Sequence, residues 1–403
     1  MDRLRFKDEF GNNYPSMKIE TLGKISKITK GKQLNKNDML PEGKFYVLNG
    51  GIEPSGYTDK WNTPKNTITI SEGGNSCGYV NFNKENFWSG GHNYSLLNPK
   101  INSNFLYSFL KYKQNEIMRL RVGSGLPNIQ IGSLTKFEIK IPCDKEQEKI
   151  GGFLSSFDQL IQKQQEKISL LKELKKGYLQ QMFPEKGSNV PKIRFKGFTD
   201  AWEQCKFKDV FVKLQNNSLS RADLNDEDGY VMNVHYGDVL IKFNEILDVN
   251  NENIPYITDP TIVEKYKSSF LQNGDIIIAD AAEDNTVGKC CEIAGLSQEN
   301  VLSGLHTIPC RPSKSFANGY LGYYMNSNVY HDQLLPLIQG SKISSISMNI
   351  LANTSLVYPK SIEEQLLIAN KFRALDKLIT LHQNKLKDIE ELKKGYMQRL
   401  FAE

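Results

Sequence analysis

The chain contains two copies of one sequence pattern, and this duplication limits its possible folds more than any other feature. Residues 172–183 read KELKKGYLQQMF and residues 390–401 read EELKKGYMQRLF, with eight of twelve positions identical at an offset of 218. The same offset aligns Gln147 with Gln365 farther upstream. A repeat of this length predicts two similar folding units in tandem.

Each copy divides into a mixed part and a helical part. Short β-branched or aromatic runs between Gly, Asn and Pro turns predict strands, as in Asn66–Ile70, Asp275–Ala279 and Phe137–Pro142. Three weaker matches link the mixed parts: GS at 123–124 and 340–341, GGNSCG at 73–78 with EDNTVG at 283–288, and His92 with His306. The predicted boundaries are a first domain at 1–145, a helix at 146–183, a linker at 184–204, a second domain at 205–363 and a helix at 364–403.

Both predicted helices carry an apolar seam with alternating three- and four-residue spacing, which is typical of a coiled coil. The seam residues are Leu154, Phe157, Ile161, Ile168, Leu171 and Tyr178 in the first helix, and Phe372, Leu375, Ile379, Leu386, Ile389 and Tyr396 in the second. Polar residues interrupt the seam at matching places, Gln164 with His382 and Lys175 with Lys393.

A duplicated chain can fold with pseudo-twofold symmetry, so the helices are expected to pair in antiparallel orientation. The alternative is that each helix packs on its own domain. The predicted fold class is therefore α+β, with two similar mixed α/β domains in tandem duplication, each followed by a long helix, and an antiparallel coiled coil between the helices.

Composition excludes several classes of protein. With 39% hydrophobic residues, 20 Phe and 18 Tyr, the chain is not expected to be disordered or fibrous. No apolar run approaches the length of a membrane span, and the N-terminal sequence lacks the apolar stretch of a signal peptide. Six cysteines without CxxC spacing make a metal site unexpected and indicate reduced thiols.

Charge differs between the copies. Residues 1–145 carry 21 basic and 13 acidic side chains, whereas residues 193–363 carry 14 basic and 21 acidic ones. Basic residues beside Asn, Gln and Ser are the types that hold phosphates or read base edges. The candidate DNA-binding residues are Lys30, Lys32, Lys36, Asn75, Arg119, Arg121, Ser124 and Asn128 in the first copy, and Asn216, Asn217, Arg221, Asn285, Lys289, Ser341, Lys342 and Ser344 in the second. A solvated surface or a salt-bridged turn explains the same residues equally well.

Motifs for catalysis are missing from the sequence. There is no Walker loop and no HExxH, and GSGLPN at 123–128 lacks the third glycine of a dinucleotide fingerprint. NIPY at 253–256 lacks the first proline of an amino-methyltransferase motif. We therefore expect no catalytic and no metal-binding residues in this chain.

The combined pattern resembles the specificity subunit of type I restriction–modification enzymes. The resemblance rests on the two ELKKGYxQxxF helix ends, on RFKGFTDAWE at 194–203 after the linker, and on the Gly-Ser, Ile, Leu and Pro positions that precede each helix. It covers essentially the whole chain.

The resemblance implies a non-catalytic subunit that reads a bipartite, asymmetric site in double-stranded DNA. Each mixed domain would be a target-recognition domain, and the paired helices would hold the half-sites apart and bind two methyltransferase subunits. S-adenosylmethionine would be bound by those partners, and ATP and Mg by restriction subunits where present. The expected location is the cytoplasm of a bacterium or archaeon, with no membrane partner. A coiled-coil scaffold that binds proteins is the alternative, and the acidic second domain favours it.

Overall fold

The computed structural model describes residues 4–123, 125–340 and 343–402. The chain divides into two compact units, one formed by Met1–Glu166 with His382–Glu403 and the other by Lys167–Leu381. The division falls inside both long helices, whereas the sequence-based boundaries set each helix apart from its domain. Each unit thus contains the first part of one long helix and the last part of the other.

The first unit contains short strands and helices followed by one long helix. Its strands are β1 (Lys18–Thr21), β2 (Lys27–Lys30), β3 (Phe45–Leu48), β4 (Gly56–Thr58), β5 (Thr67–Ser71), β6 (Val80–Asn83), β7 (Trp88–Ser89), β8 (Asn93–Leu97) and β9 (Glu138–Ile141). Its helices are α1 (Leu22–Ile25), α2 (Ser103–Tyr112), α3 (Gln114–Arg119), α4 (Ile131–Thr135) and the long α5 (Asp144–Gln181), which continues into the second unit.

These strands form three small sheets. One has the order β2-β8-β5-β6 with every neighbour antiparallel, one has the order β4-β3-β7, and β1 pairs with β9. The central β5 is buried along its whole length, because its Ile68 and Ile70 face the core formed with α2. The Asn102 side chain caps α2 by accepting a hydrogen bond from the Phe105 amide at 3.0 Å.

The second unit repeats this plan with additional strands. Its strands are β10 (Glu203–Lys206), β11 (Phe211–Lys213), β12 (Leu224–Asn225), β13 (Val231–Val234), β14 (Ile246–Asp248), β15 (Tyr256–Ile257), β16 (Ile276–Ala279), β17 (Ala281–Ala282), β18 (Cys290–Ala294), β19 (Asn300–Ser303), β20 (Thr307–Pro312), β21 (Ser344–Ser345) and β22 (Ser355–Tyr358). Its helices are α6 (Phe207–Val210), α7 (Tyr236–Ile241), α8 (Tyr320–Asn326), α9 (Asn328–His331), α10 (Met348–Ala352) and the long α11 (Ile362–Leu400), which continues into the first unit.

Sheet topology confirms the duplication. The order β11-β20-β16-β18 in the second unit repeats β2-β8-β5-β6 in the first, with β14 added in parallel beside β18. Likewise β15-β13-β19 repeats β4-β3-β7, including its one parallel pair, with β12 added at the edge. The strands predicted at 66–70, 275–279 and 137–142 correspond to β5, β16 and β9. The predicted fold class is therefore confirmed.

Within the first unit, the start of α5 and the end of α11 run antiparallel. Phe153 contacts Tyr396 with ring centroids 5.0 Å apart, and farther along α5 the Gln164 side chain bonds to His382. Phe401, at the end of α11, packs edge-on against Phe109 at 5.5 Å in the core of this unit. The helix end that closes the second copy thus contributes to the first unit's core.

Within the second unit, the end of α5 pairs with the start of α11 in the same antiparallel manner. The Lys175 ammonium lies 2.7 Å from the Asp376 carboxylate, and the rings of Phe183 and Phe372 stack with centroids 5.9 Å apart. Every predicted seam residue is buried or half-buried, as the coiled-coil prediction requires. The two pairings are alike because they follow from the duplication. Phe183 and Phe401, for example, occupy the same position in the two copies of the sequence.

The sequence RFK occurs at residues 5–7 and again at 194–196, and its arginine has the same structural role in both units. In the first unit, Arg5 forms an ion pair with Glu146 of α5 at 2.5 Å; in the second unit, Arg194 forms one with Glu364 of α11 at 2.7 Å. Both carboxylates are almost fully buried.

Across the described ranges, no helix is long and apolar enough to cross a membrane.

Candidate nucleic-acid interface

A short β-hairpin closes one edge of the first unit. Val122 and Asn128 exchange both backbone hydrogen bonds, at 2.8 and 3.0 Å, and Gly123 in the turn has φ +95°. The hairpin lies against the loop that follows β5, because the Gly74 amide donates to the Pro127 carbonyl at 3.1 Å. A left-handed residue in this turn explains why glycine occupies position 123.

A groove of about 620 Å³ lies beside this hairpin. The residues that line it are Lys30, Asn49, Gly50, Gly51, Glu72, Gly73, Gly74, Asn75, Ser76, His92, Leu126, Pro127 and Asn128. We define the first hairpin surface by the following residues: Lys30, Glu72–Ser76, His92, 122–123 and 125–128. Its polar side chains are two amides, one hydroxyl, one lysine, one histidine and one carboxylate, and Val122, Leu126 and Pro127 are its apolar members. The polar groups suit recognition of a solvated ligand.

The second unit contains the same construction. Gln339 and Ser345 exchange backbone hydrogen bonds at 3.1 and 2.8 Å, and Gly340 has φ +100°. This hairpin pairs with the segment after β16, where Ala281 faces Ser345. We define the second hairpin surface by the following residues: Lys213, Asp280–Asn285, His306, 339–340 and 343–345.

In each unit, the loop that follows the central strand contains one glycine at the point where the chain leaves the hairpin surface and enters the core. Gly78 and Gly288 have φ +90° and +89°, and each amide bonds back to the preceding strand end. A Cβ at Gly78 would lie 2.9 Å from the Met118 Cα, and one at Gly288 would lie 2.6 Å from a Leu334 methyl group. The weak match between GGNSCG and EDNTVG therefore marks one loop conformation found in both units.

The candidate residues of the first copy lie mainly at the groove or beside it. Lys30, Asn75 and Asn128 line the groove, and Arg121 is exposed next to the hairpin. Arg119 is exposed at the end of α3, and the remaining two are exposed lysines, Lys32 and Lys36. Ser124 lies outside the described residues.

In the second copy, Asn285 and Ser344 lie on the second hairpin surface, whereas Ser341 and Lys342 lie outside the described residues. The other four candidates form hydrogen bonds within the unit: Asn216 to Gly304 O at 3.4 Å, Asn217 to Asn233 Oδ1 at 2.7 Å, Arg221 to Asp238 at 2.6 Å, and Lys289 to Leu240 O and Phe243 O at 2.9 and 3.1 Å. Asn217 is fully buried, and burial lowers the pKa of Lys289. These bonds make Asn217 and Lys289 parts of the unit's framework.

Sequence reasoning missed the carboxylate that accompanies each histidine. Glu72 follows β5 and Asp280 follows β16, so the two carboxylates occupy the same position in the two sheets. His92 and His306 immediately precede β8 and β20, the strands that pair with β5 and β16. The one signal in the sequence was the match between His92 and His306. That match identifies this edge of the sheet only when β5 and β8 are known to pair in the first unit and β16 and β20 in the second.

An exposed aliphatic residue stands at the same hairpin position in both units. Leu126 is 84% exposed and Ile343 is 60% exposed. Such side chains can contact the thymine methyl group in DNA. Together with the amides and lysines, they form a surface suited to base edges and phosphates, and among the residues described here no group of His, Cys, Asp or Glu could hold a metal ion.

The faces of the long helices opposite the seam are open to solvent. Six residues on these faces are all exposed: Lys167, Lys172, Lys176, Lys385, Glu390 and Lys394. Leucines on the same helices are also exposed, including Leu170 at 64% and Leu381 at 60%. Mixed apolar and basic helix faces of this kind are available for contacts with other chains.

Comparison with known proteins gives consistent matches. The family described as Type I restriction modification DNA specificity domain matches residues 16–173 and 199–391. A type I specificity subunit of Mycoplasma genitalium is 37% identical over 176 residues, which are 43% of this chain and 46% of that protein. One from Mycoplasma pneumoniae is 32% identical over 216 residues, 52% of this chain and 56% of that protein. The aligned region thus spans about half the length of these two relatives.

Solved structures share the fold. The S subunit of a type I restriction–modification system from M. genitalium superposes with a TM-score of 0.64 over all of both chains, at 20% identity. A chain from a study of complex assembly and conformational transition of the type I system superposes with a TM-score of 0.54 at 14% identity, covering 96% of this chain and 98% of that one. With the family match covering both copies, the chain belongs to the type I restriction–modification DNA specificity family.

Proposed function

We propose that this chain is the sequence-specific DNA-recognition subunit of a type I restriction–modification complex. Each unit would read one half of a bipartite, asymmetric site through its hairpin surface. The observation that carries the proposal is that the two units repeat one backbone construction at the hairpin surface and present different side chains on it. Val122 and Asn128 face each other across the first hairpin, whereas Gln339 and Ser345 do so across the second. Gly73 and Gly74 of the first loop correspond to Glu283 and Asp284 in the second.

Different side chains on a shared framework suit an asymmetric target. Amides can bond to adenine in the major groove, and hydroxyls bond to either base of a pair. Two diverged surfaces therefore need not select the same bases. A symmetric dimer would instead select a symmetric site, because half-site symmetry follows protein symmetry.

The two long helices would set the distance between the half-sites. α5 and α11 contain 38 and 39 residues, and a helix of that length extends about 57 Å. Their outward faces would bind two methyltransferase subunits. Those partners would hold S-adenosylmethionine, and restriction subunits, where present, would use ATP and Mg.

The partners would also supply most phosphate contacts. Residues 193–363 carry 14 basic and 21 acidic side chains, so this acidic part of the second unit by itself attracts DNA weakly. We expect weak DNA binding by the isolated chain and tight binding by the assembled complex. Tight sequence-specific binding without partners would contradict this.

The deciding experiment is single-molecule sequencing of cellular DNA for methylated adenine, with the gene present and deleted. The proposal expects one split, asymmetric motif to lose methylation on deletion. A catalytically inactive methyltransferase partner in the undeleted strain is the matched control, since it should lose the same motif. A partner-active strain with no gene-dependent motif would favour the protein-binding scaffold.

Two engineered chains test the division of roles. Replacing residues 205–363 with the second domain of another family member should change only one half of the motif.

Inserting one heptad beside Gln164 and another beside His382 preserves the seam and adds about 10 Å to each helix. That length corresponds to about 3 base pairs of DNA. An active complex with an unchanged spacer would show that the helices do not set the distance.

A further inference from the structure

A carboxylate and a histidine form the same pair on both hairpin surfaces. In the first unit, the His92 Nδ1 lies 3.6 Å from a Glu72 carboxylate oxygen; in the second, the His306 Nδ1 lies 3.2 Å from an Asp280 oxygen. The pair thus persists although the carboxylate has changed from Glu to Asp.

Identical backbone bonds hold both pairs. The Glu72 amide donates to the His92 carbonyl at 2.9 Å, and the Asp280 amide donates to the His306 carbonyl at 3.0 Å. In turn, the amides of Ile129 and Ile346 donate to the carbonyls of Glu72 and Asp280 at 2.8 and 2.9 Å. Each pair therefore joins the sheet edge to the segment that follows the hairpin.

A lysine contacts the carboxylate in the first unit. Lys30, the last residue of β2, places its ammonium 2.6 Å from Glu72. Two cationic side chains thus share the Glu72 carboxylate when the His92 imidazole is protonated. In the second unit Lys213, the last residue of β11, lies two register positions away from the place that Lys30 takes in the first.

The imidazoles face solvent, whereas the carboxylates lie deeper. The His92 and His306 side chains are 64% and 51% exposed, against 14% and 28% for Glu72 and Asp280. His306 also adopts φ +54°, a left-handed conformation unusual outside glycine. A non-glycine residue is kept in such a conformation only where surrounding bonds determine it.

A pair preserved on two otherwise diverged surfaces suits a feature that both half-sites share. The bases of the two halves differ in an asymmetric target, but the phosphates do not. A protonated imidazole can donate Nδ1–H to the carboxylate and Nε2–H to a phosphate oxygen. In the first unit Lys30 adds a second cation beside Glu72, so this cluster has a net positive charge when His92 is protonated.

Resting on the proposed function, we infer that Glu72–His92, with Lys30, and Asp280–His306 are matched phosphate clamps that place each hairpin surface on the DNA backbone without reading sequence. Asn75, Asn128 and their counterparts would then read the bases. Glu72 and Asp280 are positioning residues, because Glu72 acts through Lys30 and His92 and Asp280 acts through His306.

The test uses the chain assembled with its modification partners and DNA that contains the motif. His92→Ala, His306→Ala and the double variant are compared with wild type by binding titrations at several salt concentrations. We expect a loss of affinity of about 3- to 10-fold for each single variant, equal on specific and nonspecific DNA, and a salt slope reduced by about one per site. The methylated motif should stay the same.

Three further variants separate the alternatives. His92→Lys should retain most of the affinity, because it keeps a cation at the phosphate. Asn75→Ala should instead change the motif. Lys24→Ala removes a lysine that pairs with Glu20 at 3.1 Å outside the hairpin surface, and it controls for a general loss of positive charge.

Each outcome decides one question. If the double histidine variant binds DNA with the affinity and salt slope of wild type, the phosphate-clamp proposal is wrong. It is also wrong if a histidine variant methylates a motif that differs from the wild-type motif at one base. Loss of affinity in His92→Ala that His92→Lys does not restore would make the pair a structural element only. A wild-type complex that methylates no bipartite motif would instead refute the proposed function.

Discussion

Gln164 and His382 occupy the same position in the two copies of the sequence, and in the first unit they are hydrogen-bonded to each other. The Gln164 Nε2 lies 2.6 Å from His382 Nδ1 and also donates to the His382 carbonyl at 3.0 Å. A residue that contacts its own duplicate indicates that the two helix segments run antiparallel in this unit. The Gln164 and His382 interruptions therefore contact each other, whereas Lys175 and Lys393 each contact an aspartate.

Replacing Gln164 with Leu should destabilise this part of the helix pair by about 1–3 kcal/mol, because it removes the two hydrogen bonds that the Gln164 amide forms with half-buried His382. Adding His382→Leu should restore most of the stability, since both seam positions are then apolar. Urea unfolding of the two single variants and the double variant measures the coupling. Lys163→Ala, at an exposed position of the same helix, is the control. Additive losses in the double variant would show that the two side chains are not coupled.

The ion pairs on either side of this contact should differ in strength. Lys393 lies 2.5 Å from Asp158, whereas its counterpart Lys175 lies 2.7 Å from Asp376 and 2.8 Å from Glu245. Replacing Lys175 with Met removes the cation shared by two half-buried carboxylates, of which Asp376 keeps only the hydrogen bond from the Tyr323 hydroxyl. We therefore expect a loss of about 2–3 kcal/mol.

Lys393→Met should cost less, about 1–2 kcal/mol, because it leaves only one carboxylate, that of Asp158, without its cation. It also removes a charge that adds to the effect of burial in lowering the pKa of Lys111. Hydrogen exchange read by mass spectrometry assigns each loss to its unit. Equal losses for the two variants would contradict the predicted ranking.

The terminal phenylalanine of each LKKGYxQxxF segment should stabilise the unit it enters. Phe401 contacts Phe105, Phe109 and Tyr112, so Phe401→Ala should cost about 3–5 kcal/mol and speed amide exchange in α2. Phe183→Ala should do the same for α8. Leu392→Ala, at a position 55% exposed, is the matched control on α11. Faster exchange confined to α11 would indicate that Phe401 only ends its own helix.

The second unit should lose stability as the pH rises toward neutrality. Glu292 is buried and accepts hydrogen bonds from the amides of Gly319 and Gly322, and burial raises the pKa of its carboxyl from 4.5 to about 7. Because the pKa is higher in the folded state, this contribution is fully present below about pH 4.5 and lost as the pH passes about 7. The shift corresponds to about 3 kcal/mol.

Glu292→Gln removes this titration, so its stability should change less between pH 5 and 8 than that of wild type. Thermal unfolding across this range measures the difference. Exposed Glu227→Gln should leave the wild-type pH profile unchanged. A Glu292→Gln profile as steep as that of wild type would assign the dependence to other groups.

The sequence by itself determined the duplication, the fold class and the antiparallel helix pair. All three depend on periodic patterns, since a repeat at constant offset and a three–four seam can be recognised without knowing any contact. It also predicted Lys30, Asn75 and Asn128, which line the groove of the first unit.

Only the tertiary structure decided which unit receives each helix end and which polar residues stand together. Phe401 enters the core of the first unit because the helices are antiparallel, although it closes the second copy. Glu72 and His92 are 20 positions apart in sequence and meet because β5 and β8 are neighbours in one sheet. Strand pairing brings together residues whose spacing carries no periodic signal, and their chemistry is therefore visible only in the folded chain.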